Sequence, residues 1–457
     1  MTMHTSFNLN GADVALDGDA PTESLLRWLK RHRLGGTKEG CADGDCGACT
    51  VALIERDEEG RVHFQATNSC LLPVGALPGR EVLTVEALAD GECLHPVQAA
   101  LVDCAGSQCG YCTPGFVMSL FAGYYGTELN DLTTEGNLCR CTGYRPIRAA
   151  TRHLVETPAL PDRFHDLLSI SRSPLRSAAL GDFHSPASID EALALKRAHP
   201  DAQWIAGATD LGVQLSHGQQ VAPVFIALDR IAALREVMVD EAQVRIGAGL
   251  PLSEIEHRLA GLVPAIDQML PWFAARQIRN RATIGGNLGS ASPIGDLLPI
   301  LLALDGSIHC VGSSGARDIA ASAFFLDYRR TARHADELIV AITLPRRPGL
   351  LTAAYKVAKR QTDDISIVAA VYALGLDGAG TIGHARLAYG GVAAVPMRAQ
   401  AVEAFLLGKR LDEPTVAAAC TLLEQAFTPL SDHRADASYR RRLCATLFAR
   451  FVAEHAP

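Results

Sequence analysis

Eight cysteines in two groups of four constrain this chain more than any other feature of its sequence. Cys41, Cys46 and Cys49 stand in C-x4-C-x2-C order, and Cys70 follows after twenty intervening residues. The second group has C-x2-C and then C-x-C spacing and consists of Cys109, Cys112, Cys139 and Cys141. Only three of the thirteen cysteines come later in the 457 residues. Such a concentration of thiols predicts a metal-bearing N-terminal part and a chemically different remainder.

The spacing of the first group is typical of thiolates that hold a 2Fe–2S cluster. Its loop, GCADGDCGAC, is rich in glycine, which permits the positive φ angles that wrap backbone amides around a cluster. Zinc is the alternative, because four thiolates also bind one zinc ion tetrahedrally. Zinc ribbons usually carry two C-x2-C pairs, and neither group has two, so the first group favours iron. The second group, taken alone, fits iron and zinc equally well.

Composition and charge exclude several classes of function. The chain is 48% hydrophobic and 20% charged with a net charge of −8, which predicts folded domains, about three for this length. No basic stripe indicates a nucleic-acid partner. No apolar run reaches the length of a membrane span, and the N-terminal residues do not have the pattern of a secretory signal. We therefore expect a cytoplasmic protein with no membrane association.

The two cysteine groups in context resemble the iron–sulfur part of the molybdenum hydroxylase family. The segments that carry the resemblance are TKEGCADGDCGACTV, SQCGYCTPGFVMS and NLCRCTGYRPI. The remainder resembles the FAD-binding part of the same family, through WIAGATDLG, ATIGGNLGSASPIGD, AYKVAKRQTDDIS and LAYGG. Two clusters and a flavin domain on one polypeptide are similar to the small subunit in the bacterial xanthine dehydrogenase branch of the family.

This resemblance implies a multidomain α+β fold with four parts and a linker. They are a β-grasp 2Fe–2S ferredoxin domain (1–86), a four-helix 2Fe–2S domain (87–157), a linker (158–180), a two-part α+β FAD-binding domain of the molybdenum hydroxylase type (181–348) and a C-terminal α+β flavoprotein domain (349–457). All eight cysteines of the two groups would be cluster ligands.

Two small-residue turns are expected to bind the FAD pyrophosphate, which needs backbone N–H groups that side chains leave open. The first turn comprises Ile205, Ala206, Gly207, Ala208, Thr209, Asp210 and Leu211, and the second comprises Thr283, Ile284, Gly285, Gly286 and Asn287. Neither turn is specific by itself, since such turns often follow strands. The family usually has glycine where this chain has Ala208, and a methyl group at this position could face the phosphate and hinder the approach of the backbone amide.

Other residues are assigned by the family motifs alone. FAD contacts are implied for Phe273, Asp296, Ile339 and Lys356, and a nicotinamide site is implied near Tyr328 and Asp363. Gln108 matches a residue that reaches toward molybdopterin on a partner. The alternatives are core packing for the apolar and aromatic residues, solvated surface charges for the charged ones, and a helix-end role for Gln108. The arginines Arg276, Arg279 and Arg281 are interpreted as a surface set, with a phosphate contact as the alternative.

The function implied by the resemblance is electron transfer. A molybdopterin-binding large subunit would oxidise a purine, and electrons would pass through the cluster of Cys109 and then that of Cys41 to FAD and NAD⁺. Flavin must lie between clusters and nicotinamide because it exchanges both single electrons and hydride. A heterotetramer with two copies of each subunit is implied. The alternatives are a partner that oxidises aldehydes or N-heterocycles, and a zinc-stabilised binding module without redox activity.

Overall fold

The computed structural model describes residues 5–57, 59–126, 129–157 and 160–455. The chain divides into two compact units, and the division does not follow the chain continuously. The first unit runs to Ala232 and also includes Ala275–Ala282, while the second holds Ala233–Ala274 and everything from Thr283 onward. The predicted multidomain α+β fold is confirmed.

The first unit begins with a five-stranded mixed sheet and one helix. In spatial order the strands are Ala12–Ala15, Ser6–Leu9, Glu81–Leu83, Thr50–Arg56 and Val62–Asn68. The helix Leu25–Arg31 starts at Ser24, whose hydroxyl accepts the Arg27 amide, and it buries Trp28 and two leucines on the sheet. The cysteine loop leads from this helix into the strand Thr50–Arg56, so the sheet core anchors one end of the loop.

The second cysteine group lies among helices in the same unit. They are Pro96–Asp103, Thr113–Tyr124, Arg145–Glu156 and Arg163–Ser169. The last helix falls inside the predicted linker, where prolines and the lack of a sustained period gave no signal. Asp162 caps it by accepting the amides of Phe164 and His165, and Phe164 is buried among the aromatic rings of Phe64, Phe121 and Tyr125. A buried ring, together with Leu167 and Leu168 packed against the same core, therefore docks a segment that sequence periodicity could not identify.

The rest of the first unit is the first half of the predicted FAD-binding domain. Its four-stranded sheet has the order Ala178–Leu180, Phe183–Ser185, Phe225–Ala227 and Gln203–Ile205, with the helices Ile189–Ala198 and Leu211–Ser216. The short helix Arg276–Arg279 also belongs to this unit although it lies much later in the chain.

The second unit contains two antiparallel sheets. The first sheet has the order Val237–Val239, Gln243–Gly247, Leu338–Pro345, Ser307–Gly312 and Gly315–Ala320. Its helices are Leu252–Arg258, Pro264–Met269, Ile284–Ser290, Leu298–Ala303 and Ala321–Phe324, and a small hairpin pairs Phe325–Asp327 with Arg330–Thr331.

The second sheet has the order Leu351–Val357, Val368–Leu376, Ile382–Gly390 and Met397–Arg398. The helices Gln400–Leu406, Glu413–Leu423 and Ala437–His455 complete it. Tyr372, Tyr389, Phe448 and Phe451 form an aromatic core between this sheet and the last helix. Across the described part of the chain, every helix is too short or too polar to cross a bilayer.

Candidate functional site: two cysteine loops and a flavin cradle

The first cysteine loop turns sharply around its own thiols. Ala42, Gly44 and Gly47 all adopt positive φ, at 63°, 90° and 65°. Two of the three are glycines, which enter this region at no steric cost, and the alanine carries the strain. The turns aim backbone amides inward, since the Asp43 amide lies 3.4 Å from the Cys41 sulfur. Amides directed at sulfur stabilise the thiolate form that a cluster needs.

The thiols of the first group form two pairs, Cys41 with Cys46 and Cys49 with Cys70. A hydrogen bond from Cys46 lowers the pKa of Cys41 to about 5, and the same bond raises the pKa of Cys46. The bond between Cys49 and Cys70 likewise lowers the pKa of Cys49 and raises that of Cys70. In each pair, the hydrogen bond therefore favours the thiolate form of one cysteine. Cys49 and Cys70 are only 2% and 1% exposed.

The second group is also paired, but it lies at the surface. Cys109 and Cys141 are exposed, whereas Cys112 and Cys139 are half-buried. The Tyr111 amide and then the Cys141 thiol lower the pKa of Cys109. Burial and then the bond to Cys139 raise the pKa of Cys112 to about 12. The Thr142 hydroxyl and amide, at 3.1 and 3.4 Å, both donate to the Cys139 sulfur.

The arrangement of the thiols in pairs fits a two-iron cluster. A structural zinc site gathers four donors around one ion. Two separate pairs are instead what a cluster with two irons requires, since each iron takes two thiolates from the protein. Both groups of cysteines fit 2Fe–2S clusters.

The two cysteine loops contact each other directly. The Leu138 amide, next to Cys139, donates to the carbonyl of Cys46 at 3.0 Å. The Asn137 side chain donates to the Gly47 carbonyl, also at 3.0 Å. A Cβ on Gly47 would lie 2.2 Å from the Gly136 carbonyl oxygen, so only glycine permits this approach. The predicted cluster sites are therefore adjacent through their ligand loops.

The first flavin turn follows the strand Gln203–Ile205 and leads into the helix Leu211–Ser216. A Cβ on Gly207 would lie 1.7 Å from the Arg281 carbonyl oxygen, so glycine is required here. Ala208 adopts φ of 63°, the region that glycine favours. Its methyl group is buried in the core with Ile205, Leu215 and Phe225. The methyl group therefore packs into the core of the first unit.

The buried thiols of the first group pack against elements of the flavin half. Cys49, Cys70, Leu26 and Leu71 form one hydrophobic cluster, and Val213 and Ile278 pack against it. Val213 lies in the helix that follows the first flavin turn, and Ile278 lies in the helix Arg276–Arg279. This contact joins the first cysteine loop to the first flavin turn inside one compact unit.

The second flavin turn forms the start of the helix Ile284–Ser290 in the second unit. Thr283 caps this helix by accepting the Gly286 amide at 2.9 Å, and the Gly285 amide donates to the Ala248 carbonyl. The turn is open at Gly286, since a Cβ there would meet only the Thr283 hydroxyl, and the helix that follows is open at Gly289. The Oδ1 atom of Asn287 is buried without a hydrogen-bond partner. The open backbone at the start of this helix leaves room for a phosphate group, whereas the Asn287 oxygen is an acceptor that needs a donor.

Asp296 and Lys356, both assigned to FAD, form a buried ion pair in the second unit. Their charged atoms are 2.8 Å apart, and their side chains are 7% and 5% exposed. Ser366 donates to the other carboxylate oxygen, and Lys356 also donates to the Trp272 carbonyl at 2.9 Å. The alternative of solvated surface charges is wrong for this pair. The lysine fixes the backbone one residue before Phe273, which is half-buried.

The remaining assigned residues occupy different surroundings. Ile339 is 7% exposed in the strand Leu338–Pro345. Tyr328 is 58% exposed at the tip of the small hairpin, and Asp363 lies in a loop with φ of 53°. Gln108 is exposed beside Cys109. The positions of these four residues are compatible with the predicted ligand contacts, which stay predictions.

Sequence reasoning did not identify the buried polar residues that connect the cysteine loops, Asn137 and Gln277. Both lie beside stronger motif residues, and an uncharged amide side chain carries no distinctive signal in a single sequence. The surface interpretation is wrong for two of the three arginines, because Arg279 and Arg281 are 1% and 9% exposed. Arg279 pairs with Glu135, and Arg281 pairs with Asp229 at 3.1 Å.

Four family models match the chain in succession. They are "2Fe-2S iron-sulfur cluster binding domain" at 7–75, "[2Fe-2S] binding domain" at 84–152, "FAD binding domain in molybdopterin dehydrogenase" at 177–347 and "CO dehydrogenase flavoprotein C-terminal domain" at 353–455. The models match both cysteine loops and both flavin turns.

Individual relatives agree with these models. A xanthine dehydrogenase of Emericella nidulans is 32% identical over 97% of this chain, which corresponds to 38% of the relative. The chain spans about two fifths of the length of the curated relatives it matches. Among solved structures, a Cu,Mo-CO dehydrogenase chain is 30% identical with a TM-score of 0.57, covering 60% of this chain and 96% of its own. A quinoline 2-oxidoreductase chain from Pseudomonas putida 86 is 26% identical with a TM-score of 0.57, covering 62% and 98%.

Proposed function

We propose that this chain, which belongs to the molybdenum hydroxylase family, is the electron-transfer subunit of a xanthine dehydrogenase. In that role it accepts electrons from a molybdopterin-binding large subunit that oxidises hypoxanthine and xanthine to urate, and it delivers them to NAD⁺. The two 2Fe–2S clusters supply one-electron steps when bound, and FAD supplies the exchange between single electrons and hydride. The side chains and backbone of this chain bind and position these groups.

One observation carries the choice of xanthine dehydrogenase within the family. The Emericella nidulans relative matches through both cluster segments and the flavin segment, 97% of this chain in one alignment. The CO dehydrogenase and quinoline 2-oxidoreductase chains match only 60% and 62% of it. A shared order of clusters and flavin along one polypeptide therefore favours the xanthine dehydrogenase branch.

The contrasting exposure of the cysteines supports a direction for electron flow. Cys109 and Cys141 lie at the surface together with Gln108, where a partner can approach them. Cys49 and Cys70 are buried against Val213 and Ile278 from the flavin half. Electron transfer weakens steeply with distance, so the exposed group is proposed to receive electrons and the buried group to pass them to the flavin.

The flavin half of the chain is proposed to hold FAD through three features. Within the second unit, the open face of the second turn at Gly286 binds the pyrophosphate through backbone amides. The buried pair of Asp296 and Lys356 fixes the backbone at Trp272 and so orients Phe273 toward the flavin ring. Ile339 supplies an apolar contact. Tyr328 and Asp363 are proposed to border the NAD⁺ site, and Tyr328 is exposed enough to meet a ligand that comes and goes.

A second candidate is an electron-transfer subunit for a partner that oxidises an N-heterocycle or an aldehyde. The structural match to quinoline 2-oxidoreductase favours this alternative. The assembly we propose for either function has two copies of each subunit in the cytoplasm. The two functions differ in the substrate pocket, which belongs to the large subunit.

The deciding experiment is purification of the chain with its native large subunit, followed by iron, zinc and flavin analysis and by assays with NAD⁺. We expect iron and flavin in the preparation and reduction of NAD⁺ by xanthine. Activity with quinoline or an aldehyde, and none with xanthine, would favour the second candidate. A folded preparation that contains zinc instead of iron would contradict both.

A further inference from the structure

Several buried polar contacts that involve none of the assigned ligands converge on the side chain of Gln277. This residue is 1% exposed, and its side-chain nitrogen lies 3.1 Å from Asn137 Oδ1, 3.1 Å from Ser119 Oγ and 3.3 Å from Thr50 Oγ1. The three partners come from the second cysteine loop, the helix Thr113–Tyr124 and the strand that follows Cys49. One buried amide thus touches both iron–sulfur parts of the chain.

Asn137 completes the bridge between the loops. Its Oδ1 accepts from Gln277, while its Nδ2 donates to the Gly47 carbonyl at 3.0 Å and approaches Thr50 Oγ1 at 3.5 Å. The packing around it leaves little freedom, because a Cβ on Gly136 would lie 2.1 Å from Gln277 Oε1. The loops therefore meet at a fixed, fully buried polar contact that no cysteine takes part in.

The segment that delivers Gln277 comes from the flavin half. Ala275–Ala282 belongs to the iron–sulfur unit, yet it begins two residues after Phe273 in the chain. Ile278 packs on the buried thiols of the first group, and Arg279 pairs with Glu135 of the second loop. Gln277 also lines a small cavity with Gly207 of the first flavin turn and with Asn68.

We propose that Gln277 and Asn137 form an amide bridge that sets the spacing of the two clusters, so that the flavin half of the chain helps to control transfer between them. This inference rests on the proposed function, since it requires both cysteine groups to hold 2Fe–2S clusters. Gln277 is a positioning residue that acts through the loops. Burial makes the bridge specific, because a buried amide group that loses its hydrogen-bond acceptors costs free energy. The loops are therefore held in the arrangement in which the Gln277 amide keeps its acceptors.

The test compares Gln277→Met with Asn280→Leu in the full chain with its clusters. Gln277→Met keeps the length of the side chain and removes every hydrogen bond. Asn280→Leu is the matched control, because Asn280 is also buried in this segment but donates only to the Ala66 carbonyl, at 2.8 Å, in the strand Val62–Asn68. Electron paramagnetic resonance of the dithionite-reduced protein at low temperature measures the magnetic interaction between the two reduced clusters, and iron and flavin contents are measured in parallel.

We expect Gln277→Met to keep wild-type iron and flavin contents while the magnetic splitting changes several-fold, and Asn280→Leu to leave the splitting unchanged. An unchanged splitting in Gln277→Met, or an equal change in both variants, would overturn the proposal. If Gln277→Met loses iron, Gln277→Asn, which keeps the amide and shortens the side chain by one methylene, decides by the same criterion. Wild-type protein without two distinct cluster signals would instead contradict the proposed function, whatever the variants do.

Discussion

The two cysteine loops of this chain share a donor set and differ in nearly everything around it. Each presents four thiols in two pairs, and each receives backbone amides at sulfur. The first buries two of its thiols against apolar side chains from the flavin half, whereas the second exposes two of its thiols. The difference teaches that ligand spacing determines which cofactor fits, while the surroundings determine what the cofactor can exchange electrons with.

The largest effect is expected from removing one exposed ligand. Cys109→Ser should lower electron transfer from the substrate of the large subunit to NAD⁺ by about 100-fold, because the entry cluster is lost. Oxidation of NADH by a dye that reacts with the flavin should change little, since the first loop and the flavin half are untouched. Steady-state assays of both reactions check this.

Cys93→Ser is the matched control, because Cys93 is also exposed in the helical part and is not one of the eight assigned ligands. Equal loss of both reactions in a folded Cys109→Ser protein that retains FAD would show that the two loops do not act in the proposed order.

The next effect concerns access to the two clusters. A chelator should remove iron from the second group several times faster than from the first, because Cys109 and Cys141 are exposed while Cys49 and Cys70 are almost fully covered. Iron release is followed over time by the decay of the two separate electron paramagnetic resonance signals. Simultaneous decay would mean that burial in the resting fold does not govern access.

A third effect concerns the pH dependence of stability in the helical part that holds the second cysteine group. His95 begins the helix Pro96–Asp103, where its Nδ1 accepts the Val97 amide and its Nε2 bonds with the Tyr125 hydroxyl. Burial lowers the pKa of His95 from 6.5 to about 4, so the unfolded chain binds a proton that the folded chain resists. The contribution of neutral His95 to the free energy of unfolding is fully present above pH 6.5. It is lost as the pH falls toward 4, and the loss amounts to about 3 kcal/mol.

The measurement is the pH dependence of the melting temperature for wild type and His95→Asn. Asparagine still caps a helix but does not titrate, so the variant should be less stable at pH 7 and show a shallower decline between pH 6.5 and 4. Parallel declines would mean that His95 is not the group responsible. In the wild type, the second cluster should be the first to be lost on acidification, since His95 lies in the helical part that holds it.

The smallest effect is expected beside the first loop, at the first flavin turn. Ala208→Gly relieves an alanine at positive φ and removes a buried methyl group, and these terms are each about 1 kcal/mol and opposite in sign. We expect the free energy of unfolding to change by less than about 1 kcal/mol and the affinity for FAD to stay the same. Fluorescence titration of the flavin-free protein measures the affinity, and a large increase would mean that the methyl group does reach the phosphate.

The fold class and the cysteine groups could be predicted from sequence because their signals are local. Eight thiols at family spacing within two short loops leave few alternatives, and glycines mark where the loop must turn. The docking helix Arg163–Ser169 could not be predicted, because tertiary contacts of Phe164, Leu167 and Leu168 hold it and the prolines on either side of it suggest a linker. The packing of the Ala208 methyl could not be predicted for a related reason, since the side of the turn that it faces depends on tertiary packing.

The bridge between the loops was beyond sequence reasoning for a different reason. Gln277 and Asn137 are separated by 140 residues, and Gln277 and Thr50 by 227. The local sequence around a glutamine in a basic segment does not indicate whether its side chain faces solvent or connects two loops. Only contacts between distant parts of the chain distinguish the two, and a single sequence without relatives does not contain that information.

The placement of Ala275–Ala282 has a consequence for how such a protein can be divided into separate polypeptides. A break anywhere in the chain between the two halves would leave this octapeptide on the flavin side, while its buried hydrogen-bond acceptors stay with the iron–sulfur side. The two pieces would then reassociate by binding of this octapeptide to the iron–sulfur piece. The iron–sulfur piece produced on its own would expose an unfilled polar cleft, and mixing it with the complementary flavin piece should restore its resistance to proteases.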